Sequence, residues 1–412
     1  MVVRARSEVF DGPYAWFRLA VSVLLATTGS VGMWAVVVVL PKVQAEFDVD
    51  RATASLPYTA TMLGFALGNV LIGRYVDRLG IVLPVIGASV ALSAGFVLAA
   101  LSTGVWQFAV IQGVLIGIGT SATFGPLIAD ISHWFRARRG VAVAATASGN
   151  YLAGAIWPTA LQGVLVSEGW RTTYIIIGIV CLAIMLPLSL LLRRRIPVEV
   201  NAGDALAGTV AASQQVRTIG LSPRALQILL VIAGLGCCVA MSMPQVHIVA
   251  YCADLGYGVA RGAEMLSLML VGGVASRLAS GFLADRIGGV RTLLVGSVGQ
   301  CLALVLYMPF DGLASLYVVS FIFGLSQGGI VPSYAIIVRE YLPAREAGQR
   351  VGVVIMATVI GMALGGWLSG WIYDLTGSYR AAFLNGIAWN LLNIAIMLMI
   401  LGKTRTMRTA AI

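Results

Sequence analysis

Apolar runs of about 20 residues recur along almost the whole chain, separated by short polar connections. A helix of about 20 residues crosses the ~30 Å hydrocarbon core of a bilayer, so each run predicts one membrane-spanning helix. Twelve such runs lie between residues 19 and 402. A barrel strand would alternate over ~10 residues, whereas these runs are continuous and rich in glycine, as packed membrane helices are. The sequence therefore predicts an all-α polytopic membrane protein.

The positive charge of the chain lies mostly on one side of the predicted membrane. There are 27 Lys and Arg against 17 Asp and Glu, a formal net charge of +10, which alone would also suit a nucleic-acid binder. With the N-terminus in the cytoplasm, the exceptions on the opposite side are Lys42, Arg51, Arg171, Arg261 and Arg380, and one further cation, Arg277, remains within a span. The positive-inside rule therefore predicts that both termini are cytoplasmic and that nucleic acid is not a partner.

A long polar segment divides the twelve runs into two sets of six. The predicted organisation is a cytoplasmic N-terminal segment at 1–18, a six-helix bundle at 19–193, a cytoplasmic central loop at 194–224, a second six-helix bundle at 225–402 and a cytoplasmic tail at 403–412. GRYVDRLG follows the second run and GFLADRIG follows the eighth, which indicates a parallel internal repeat. In such a repeat the pseudo-two-fold axis follows the membrane normal and the substrate path lies between the halves.

The repeated motif predicts a conformational latch on the cytoplasmic side. Its glycines permit a tight turn close to a neighbouring helix, and its aspartate can accept hydrogen bonds from amides at a helix N-terminus. A short cytoplasmic loop that carries Asp and Arg without a special role is the alternative. The latch residues are Gly73, Asp77, Arg78 and Gly80 in the first copy and Gly281, Asp285, Arg286 and Gly288 in the second.

Arg277 is the cation left inside the eighth run. An arginine at the centre of a span costs roughly 2.5 to 3.5 kcal/mol on insertion scales, so it needs a counter-charge or a function. No Asp or Glu lies deep in a predicted span, and Asp130 sits near a cytoplasmic end. The planar guanidinium suits bidentate contact with a carboxylate, so we expect an anion site, with a structural arginine bonded to backbone carbonyls or water as the alternative. A single deep cation favours a monoanion.

His247 lies toward the outer end of the seventh run, after Pro244. Histidine changes charge near neutral pH, so His247 could bind substrate or relay a proton. A histidine that is merely hydrogen-bonded between helices is the competing interpretation.

Several motifs resemble a known family. Twelve runs with Gly-x-x-x-Asp-Arg-x-Gly after the second and the eighth resemble the major facilitator superfamily. DGPYAW at 11–16 and WFRARRGVAVAATASG at 134–149 are similar to segments of its monocarboxylate transporter family and of the related oxalate and formate carriers. An arginine four residues before a glycine on helix 8, here Arg277 and Gly281, resembles that family's substrate-binding arginine.

The chain also departs from this family at charged positions. Animal members place an aspartate where this chain has Gly273, and a lysine within helix 1, for which residues 30–40 offer no cation. Oxalate carriers place a second cation on helix 11, where residues 348–373 contain only Arg350 at the entrance. The resemblance therefore supports carboxylate binding at Arg277 without a second buried cation.

The resemblance also implies which helices line the substrate cavity, namely 1, 4, 7 and 10. This implies a set of candidate substrate ligands on or beside those helices: Gln112, Asn150, Tyr151, Gln327 and Tyr334. Polar residues in membrane bundles also hydrogen-bond neighbouring helices, for only ~0.6 to 2 kcal/mol, and each candidate carries this alternative.

No catalytic centre is visible in the sequence. We find no phosphate-binding glycine-rich loop, no metal-ligand cluster and no buried carboxylate pair, so we expect no enzymatic activity, no cofactor and no metal. The expected function is gradient-driven, proton-coupled symport of a small monocarboxylate such as lactate or pyruvate by alternating access, with His247 or Arg277 in proton coupling. An organic-anion exchanger and a hydrophobic drug exporter are the alternatives. We expect a bacterial inner membrane, with the lipid bilayer, the carboxylate and the proton as partners, and favour a monomer.

Overall fold

The computed structural model describes residues 10–135, 138–194, 219–342 and 346–409. Within these ranges the chain forms twelve long helices and no strand. The first six are α1 (Pro13–Phe47), α2 (Arg51–Leu79), α3 (Val82–Ala100), α4 (Val105–Ser132), α5 (Arg139–Ser167) and α6 (Gly169–Leu191). The second six are α7 (Pro223–Asp254), α8 (Val259–Ile287), α9 (Gly289–Leu306), α10 (Leu313–Tyr341), α11 (Ala347–Thr376) and α12 (Tyr379–Thr409).

The helices have the length and composition that a bilayer requires. Eleven of the twelve are long and apolar enough to cross a membrane. The remaining helix, α5, has 29 residues, as α2 and α8 do, but it is built largely from Ala, Gly, Ser and Thr. Such small residues let helix backbones approach closely, and α5 packs against α1 and α8. The predicted all-α fold with twelve spans is confirmed.

The outermost helices extend beyond the apolar runs. α1 begins at Pro13, within the segment 1–18 that was expected to precede the first bundle, and α12 continues to Thr409, within the predicted tail 403–412. Hydropathy detects only the part of a helix that lies in hydrocarbon, and Pro13 suits a helix start because its missing N–H is not needed there. Most of the predicted central loop, 195–218, lies outside the described residues.

The internal repeat is visible in the backbone as well as in the motif. α2 is followed directly by Gly80 and α8 by Gly288, with φ angles of 79° and 84° that residues with a side chain rarely adopt. α4 and α10, which occupy the same place in each half, are both interrupted, at 122–124 and 328–329. The two six-helix halves therefore share one architecture.

The halves meet mainly along three helix pairs. α2 of the first half packs against α11 of the second, α5 against α8, and the later part of α1 against α7. We call the face with the start of α1 and the end of α12 the terminal face, and the opposite one the distal face.

Glycines set the distance between helices inside each half. A Cβ atom on Gly64 of α2 would overlap the carbonyl oxygen of Gly113 on α4, and one on Gly324 of α10 would overlap that of Met269 on α8. These overlaps are with backbone, which cannot rotate away. The close packing of α2 with α4 and of α8 with α10 therefore requires glycine.

We expect Gly324→Ala to lower the thermal stability of the purified protein. Overpacking typically costs ~1 to 3 kcal/mol, and each kcal/mol lowers the unfolding temperature by ~2 to 4 °C for a chain of moderate size. Gly87→Ala on α3 is the matched control, because no heavy atom lies within 4 Å of its Cβ position. Equal unfolding temperatures for the two variants would contradict the packing argument.

Candidate functional site

A cavity of about 380 Å³ lies between the two halves. Its walls come from α1, α2, α4 and α5 of the first half and from α7, α8, α10 and α11 of the second. It extends from Trp34 and Tyr58 toward Val70, late in α2, and Gly352, early in α11. Both of these helix segments approach the terminal face, so the cavity faces that side.

Arg277 on α8 lines this cavity with 9% of its surface exposed. Its Nη1 donates to the carbonyl oxygen of Ala147 on α5 at 2.8 Å, and its Nε donates to that of Gly328 on α10 at 3.3 Å. The guanidinium carbon lies 4.3 Å from the centroid of the Tyr151 ring, a cation–π geometry. Two donors thus bond backbone carbonyls, as the structural alternative expected.

No acidic side chain forms an ion pair with Arg277 in the described part of the chain. The ion pairs found there are Arg18–Asp130, Arg51–Asp254, Arg171–Glu46, Arg261–Glu264 and Arg350–Glu346. Arg277 therefore brings a positive charge without a fixed counter-charge to a largely apolar cavity. In such surroundings the attraction between a cation and an anion is stronger than in water.

The two candidate ligands on α5, Asn150 and Tyr151, both line the cavity beside Arg277. Tyr151 supports the guanidinium with its ring. Asn150 accepts from Trp34 Nε1, through Oδ1 at 3.1 Å and through its main-chain oxygen at 3.0 Å. Trp34 was not a candidate in the sequence, because a tryptophan inside an apolar run carries no polar signal.

Gln327 is fully buried on α10, next to Gly328, whose carbonyl oxygen accepts from Arg277. Its Oε1 accepts from Gln245 Nε2 at 2.6 Å, whereas its own Nε2 has no hydrogen-bond partner. Gln245 on α7 lines the cavity and was not among the sequence candidates. Gln327 therefore contacts Gln245, which lines the cavity, but does not line the cavity itself.

Gln112 and Tyr334 lie away from the cavity lining. Gln112 donates to Tyr174 Oη at 2.7 Å and accepts from Thr61 Oγ1 at 3.2 Å, both within the first half. Tyr334 donates to Asn393 Oδ1 at 2.9 Å within the second half. Both side chains are fully buried and join helices, as the alternative for each of them expected.

His247 is fully buried on α7 and is also absent from the cavity lining. Its Nε2 lies 2.7 Å from the carbonyl oxygen of Gly366 on α11, and its Nδ1 lies 3.4 Å from Tyr379 Oη at the start of α12. His247 therefore sits among helices of the second half on the distal side of the cavity, and its link to Tyr379 connects it to the residues that close that side.

A set of polar contacts, which we call the distal clamp, closes the cavity on the distal side. The main-chain nitrogens of Arg51 and Ala52, at the start of α2, donate to the Asp374 carboxylate on α11 at 2.9 and 2.7 Å. The Arg51 guanidinium donates to Tyr379 Oη at 2.6 Å and to Asp254 Oδ1 at 3.2 Å. A carboxylate at a helix N-terminus is favoured by the exposed amides there. The clamp thus ties α2 to α7, α11 and α12 of the other half.

On the terminal face the first glycine of each predicted latch motif has open space around it. A Cβ atom on Gly73 or Gly281 would have no neighbour within 4 Å. The exposed latch side chains are Arg78, Asp285 and Arg286, and the side chain of Asp77 lies outside what the structure describes. At the N-terminus of α9 it is Glu340, from the end of α10, that accepts from the Gly289 amide, at 3.3 Å.

The two segments that resemble the monocarboxylate transporter family pack against each other on the terminal face. The amide of Asp11 donates to the carbonyl oxygen of Trp134 at 3.1 Å. The rings of Tyr14 and Trp134 are 5.0 Å apart, and those of Trp16 and Phe135 are 5.1 Å apart. The start of α1 and the end of α4 therefore form one aromatic cluster.

Arg18 reinforces this cluster in a way that the sequence did not reveal. Its Nε and Nη2 each donate to the Asp130 carboxylate at 2.8 Å, and its Nη1 donates to the carbonyl oxygen of Leu192 at 3.0 Å. The sequence placed Arg18 among the cytoplasmic cations and Asp130 at a helix end, without linking them. The pair joins α1, α4 and the end of α6.

Comparisons with known proteins agree with this architecture. The sequence profile of the Major Facilitator Superfamily matches residues 22–315 and 264–411. The chain is 26% identical over 339 residues to monocarboxylate transporter 13 of Bos taurus, covering 80% of this chain and 75% of that protein. It is 28% identical over 356 residues to the uncharacterized MFS-type transporter YcxA of Bacillus subtilis, covering 82% and 83%.

Solved structures share the fold at low sequence identity. A bacterial homologue of the human lysosomal transporter Spinster, in an inward-facing and occupied conformation, matches with a TM-score of 0.74 at 15% identity, covering 95% of this chain and 98% of that one. A POT family transporter in complex with 5-aminolevulinic acid matches with a TM-score of 0.72 at 12% identity, covering 94% and 96%. At these identities the likeness concerns the fold.

Proposed function

The chain belongs to the major facilitator superfamily, and we propose that it is a secondary active transporter of an organic monocarboxylate such as lactate or pyruvate. The observation that carries this proposal is Arg277, a cation that lines the cavity without an acidic partner among the described residues. A carboxylate at its guanidinium would form a charge-assisted hydrogen bond and supply the missing negative charge.

The proposed transport cycle is alternating access by rocking of the two halves. In the present conformation the distal clamp holds α2 to α11, and the cavity faces the terminal side. Opening of the distal side requires the clamp to break, while the latch motifs at Gly73 and Gly281, which have no close neighbours now, come together. The cavity with Arg277 would then be exposed to the other side of the membrane.

We propose that a proton accompanies the carboxylate. Among the described residues no Asp or Glu lines the cavity, so the proton would travel on the substrate at Arg277 or on His247. His247 contacts Tyr379, which in turn accepts from Arg51. A protonated His247 would place a second positive charge beside Arg51 and thereby weaken the distal clamp.

The terminal face is proposed to be cytoplasmic, in the inner membrane of a bacterium. The support is the concentration of Lys and Arg in the segments of that face, which the positive-inside rule associates with the cytoplasm. The two bundles, 19–193 and 225–402, would then be connected by a cytoplasmic segment at 194–224. The present conformation would accordingly be inward-facing.

Uptake by purified protein in liposomes tests this function. We expect labelled lactate or pyruvate to accumulate when the outside is made acidic, and accumulation to stop when a protonophore collapses the pH gradient. Uptake that ignores the pH gradient but requires an anion inside the liposomes would instead identify an exchanger. Liposomes without protein, with the same gradient, provide the control for passive diffusion of the undissociated acid.

A hydrophobic drug exporter is the second candidate, and the apolar lining of the cavity favours it. Phe65, Phe124 and Val331, for example, present apolar side chains to the interior. The two candidates differ in their dependence on charge, because an uncharged drug gains nothing from Arg277. Efflux of an uncharged dye that is unaffected by loss of the Arg277 charge would favour the exporter.

A further inference from the structure

The wall of the cavity outside the Arg277 region is rich in methionine. Met33 on α1, Met62 on α2, Met241 on α7 and both Met356 and Met362 on α11 line it. They come from both halves and therefore surround the space. Methionine is unbranched and polarizable, adapts its shape to a neighbour, and makes favourable contacts with aromatic rings. Such a wall suits an apolar group better than it suits water or a hydroxyl group.

Four polar side chains of the cavity wall are hydrogen-bonded within the protein. Asn69 Nδ2 donates to the carbonyl oxygen of Phe65 at 2.8 Å, and Thr358 Oγ1 donates to that of Ile355 at 2.7 Å. Asn150 Oδ1 and Gln245 Nε2 are engaged with Trp34 and Gln327 as described above, and the tyrosines Tyr58 and Tyr151 also line the cavity. A site that selects a small hydroxy or keto acid needs free donors and acceptors for the oxygen atoms of its ligand.

The volume of the cavity also exceeds what a three-carbon acid fills. About 380 Å³ lies within the range of ~300 to 1,000 Å³ that is typical of pockets for drug-sized ligands. A lactate ion at Arg277 would leave most of the methionine wall in contact with water. Removing that wall from water would add to the binding free energy in proportion to the apolar area covered.

We infer that the acid carried by this protein has an apolar body of about six or more carbons, aromatic or alkyl, with its one carboxylate at Arg277 and its body against the methionine wall. This inference rests on the proposed function, because it assumes that a carboxylate binds at Arg277. It adds that selectivity comes from the covered apolar area, and that hydroxyl or keto groups on the acid contribute little.

Binding of four probes to purified protein tests the inference by titration calorimetry. The probes are lactate, 3-phenylpropionate, its uncharged amide, and hexanoate. We expect 3-phenylpropionate and hexanoate to bind at least tenfold more tightly than lactate, and the amide to bind at least tenfold more weakly than 3-phenylpropionate. Lactate binding as tightly as 3-phenylpropionate, with both dependent on Arg277, would overturn the inference and leave the proposed function standing.

A second pair of variants tests the methionine wall directly. Met356→Gln keeps the length of the side chain but adds a polar amide, so we expect at least threefold weaker binding of 3-phenylpropionate and unchanged binding of lactate. Met308→Gln, in the turn that follows α9 and away from the cavity lining, is the matched control. Equal effects of the two variants would overturn the assignment of the wall.

The remaining outcomes separate the inference from the function on which it rests. If 3-phenylpropionate and its amide bind equally, and Arg277→Ala changes neither, the apolar wall stands and carboxylate transport is overturned. If none of the four probes binds to wild-type protein, both are overturned.

Discussion

Replacing Arg277 by alanine is expected to reduce carboxylate uptake into liposomes by at least 100-fold. Arg277 is the one Lys or Arg among the described residues that line the cavity, and none of the ion pairs described above involves it. Removing one partner of a buried charge pair costs ~3 to 5 kcal/mol, and a 100-fold loss corresponds to about 2.8 kcal/mol. Initial rates of uptake under an imposed pH gradient provide the measurement.

Two further substitutions separate binding from folding. Arg277→Gln removes the charge but keeps an amide that can donate to Ala147 or Gly328, so its stability should stay closer to that of wild type. Arg277→Lys keeps the charge but loses the planar fork and the stacking on Tyr151, and we expect a loss of at least tenfold.

Arg291→Ala is the matched control for these variants. It removes an exposed arginine from the start of α9 in the same half of the protein, and we expect uptake close to that of wild type. If Arg277→Gln is well folded and transports the acid at the wild-type rate, the role of Arg277 in binding is wrong.

Replacing Asp374 by alanine is expected to open the distal side of the protein. Its carboxylate accepts from the Arg51 and Ala52 amides, and hydrogen bonds to charged groups contribute ~1.5 to 3 kcal/mol each. Without them the distal clamp retains only the bonds of the Arg51 side chain to Asp254 and Tyr379. We therefore expect the ratio of distal-open to distal-closed molecules to rise at least tenfold.

Spin labels at Ala45 and Leu375 report this change as a distance distribution. Both positions are exposed on the distal face, one in each half. The distance between the labels should lengthen in Asp374→Ala, whereas the exposed Asp311→Ala on the same face should leave it unchanged. An identical distribution in Asp374→Ala and wild type would show that the clamp does not hold the distal side closed.

The parts of the fold that could be predicted from sequence are those that the bilayer imposes. Each span needs a continuous apolar run, and the repeat reveals itself because Gly80 and Gly288 must end α2 and α8 with backbone angles that favour glycine. The position of Arg277 on the cavity was also predictable, because a charge inside an apolar run is costly anywhere else.

The polar residues within spans could not be assigned from sequence in the same way. Gln112 and Tyr334 bond neighbouring helices while Asn150 and Tyr151 line the cavity, yet all four occur in apolar surroundings in the chain. Which side of a buried helix faces the cavity depends on how the two halves pack, and this packing cannot be deduced from hydropathy.

The distal clamp was missed for a different reason. The sequence placed Arg51 in an outer loop and gave no sign of a partner. Its partners Asp254 and Asp374 lie on helices of the other half, 203 and 323 residues further along the chain. Apolar periodicity describes each helix by itself, so contacts between the ends of distant helices leave no pattern in it.

The lack of a fixed counter-charge for Arg277 has an electrical consequence. The empty cavity carries one positive charge inside the membrane field, where moving one elementary charge through the full potential changes the free energy by ~2.3 kcal/mol per 100 mV. A bound monocarboxylate cancels that charge and the accompanying proton restores it, so the empty and the loaded protein cross the field with the same charge. Membrane voltage would therefore leave the net uptake of acid and proton unchanged, whereas transport of the anion without a proton would move one negative charge per cycle and respond to voltage.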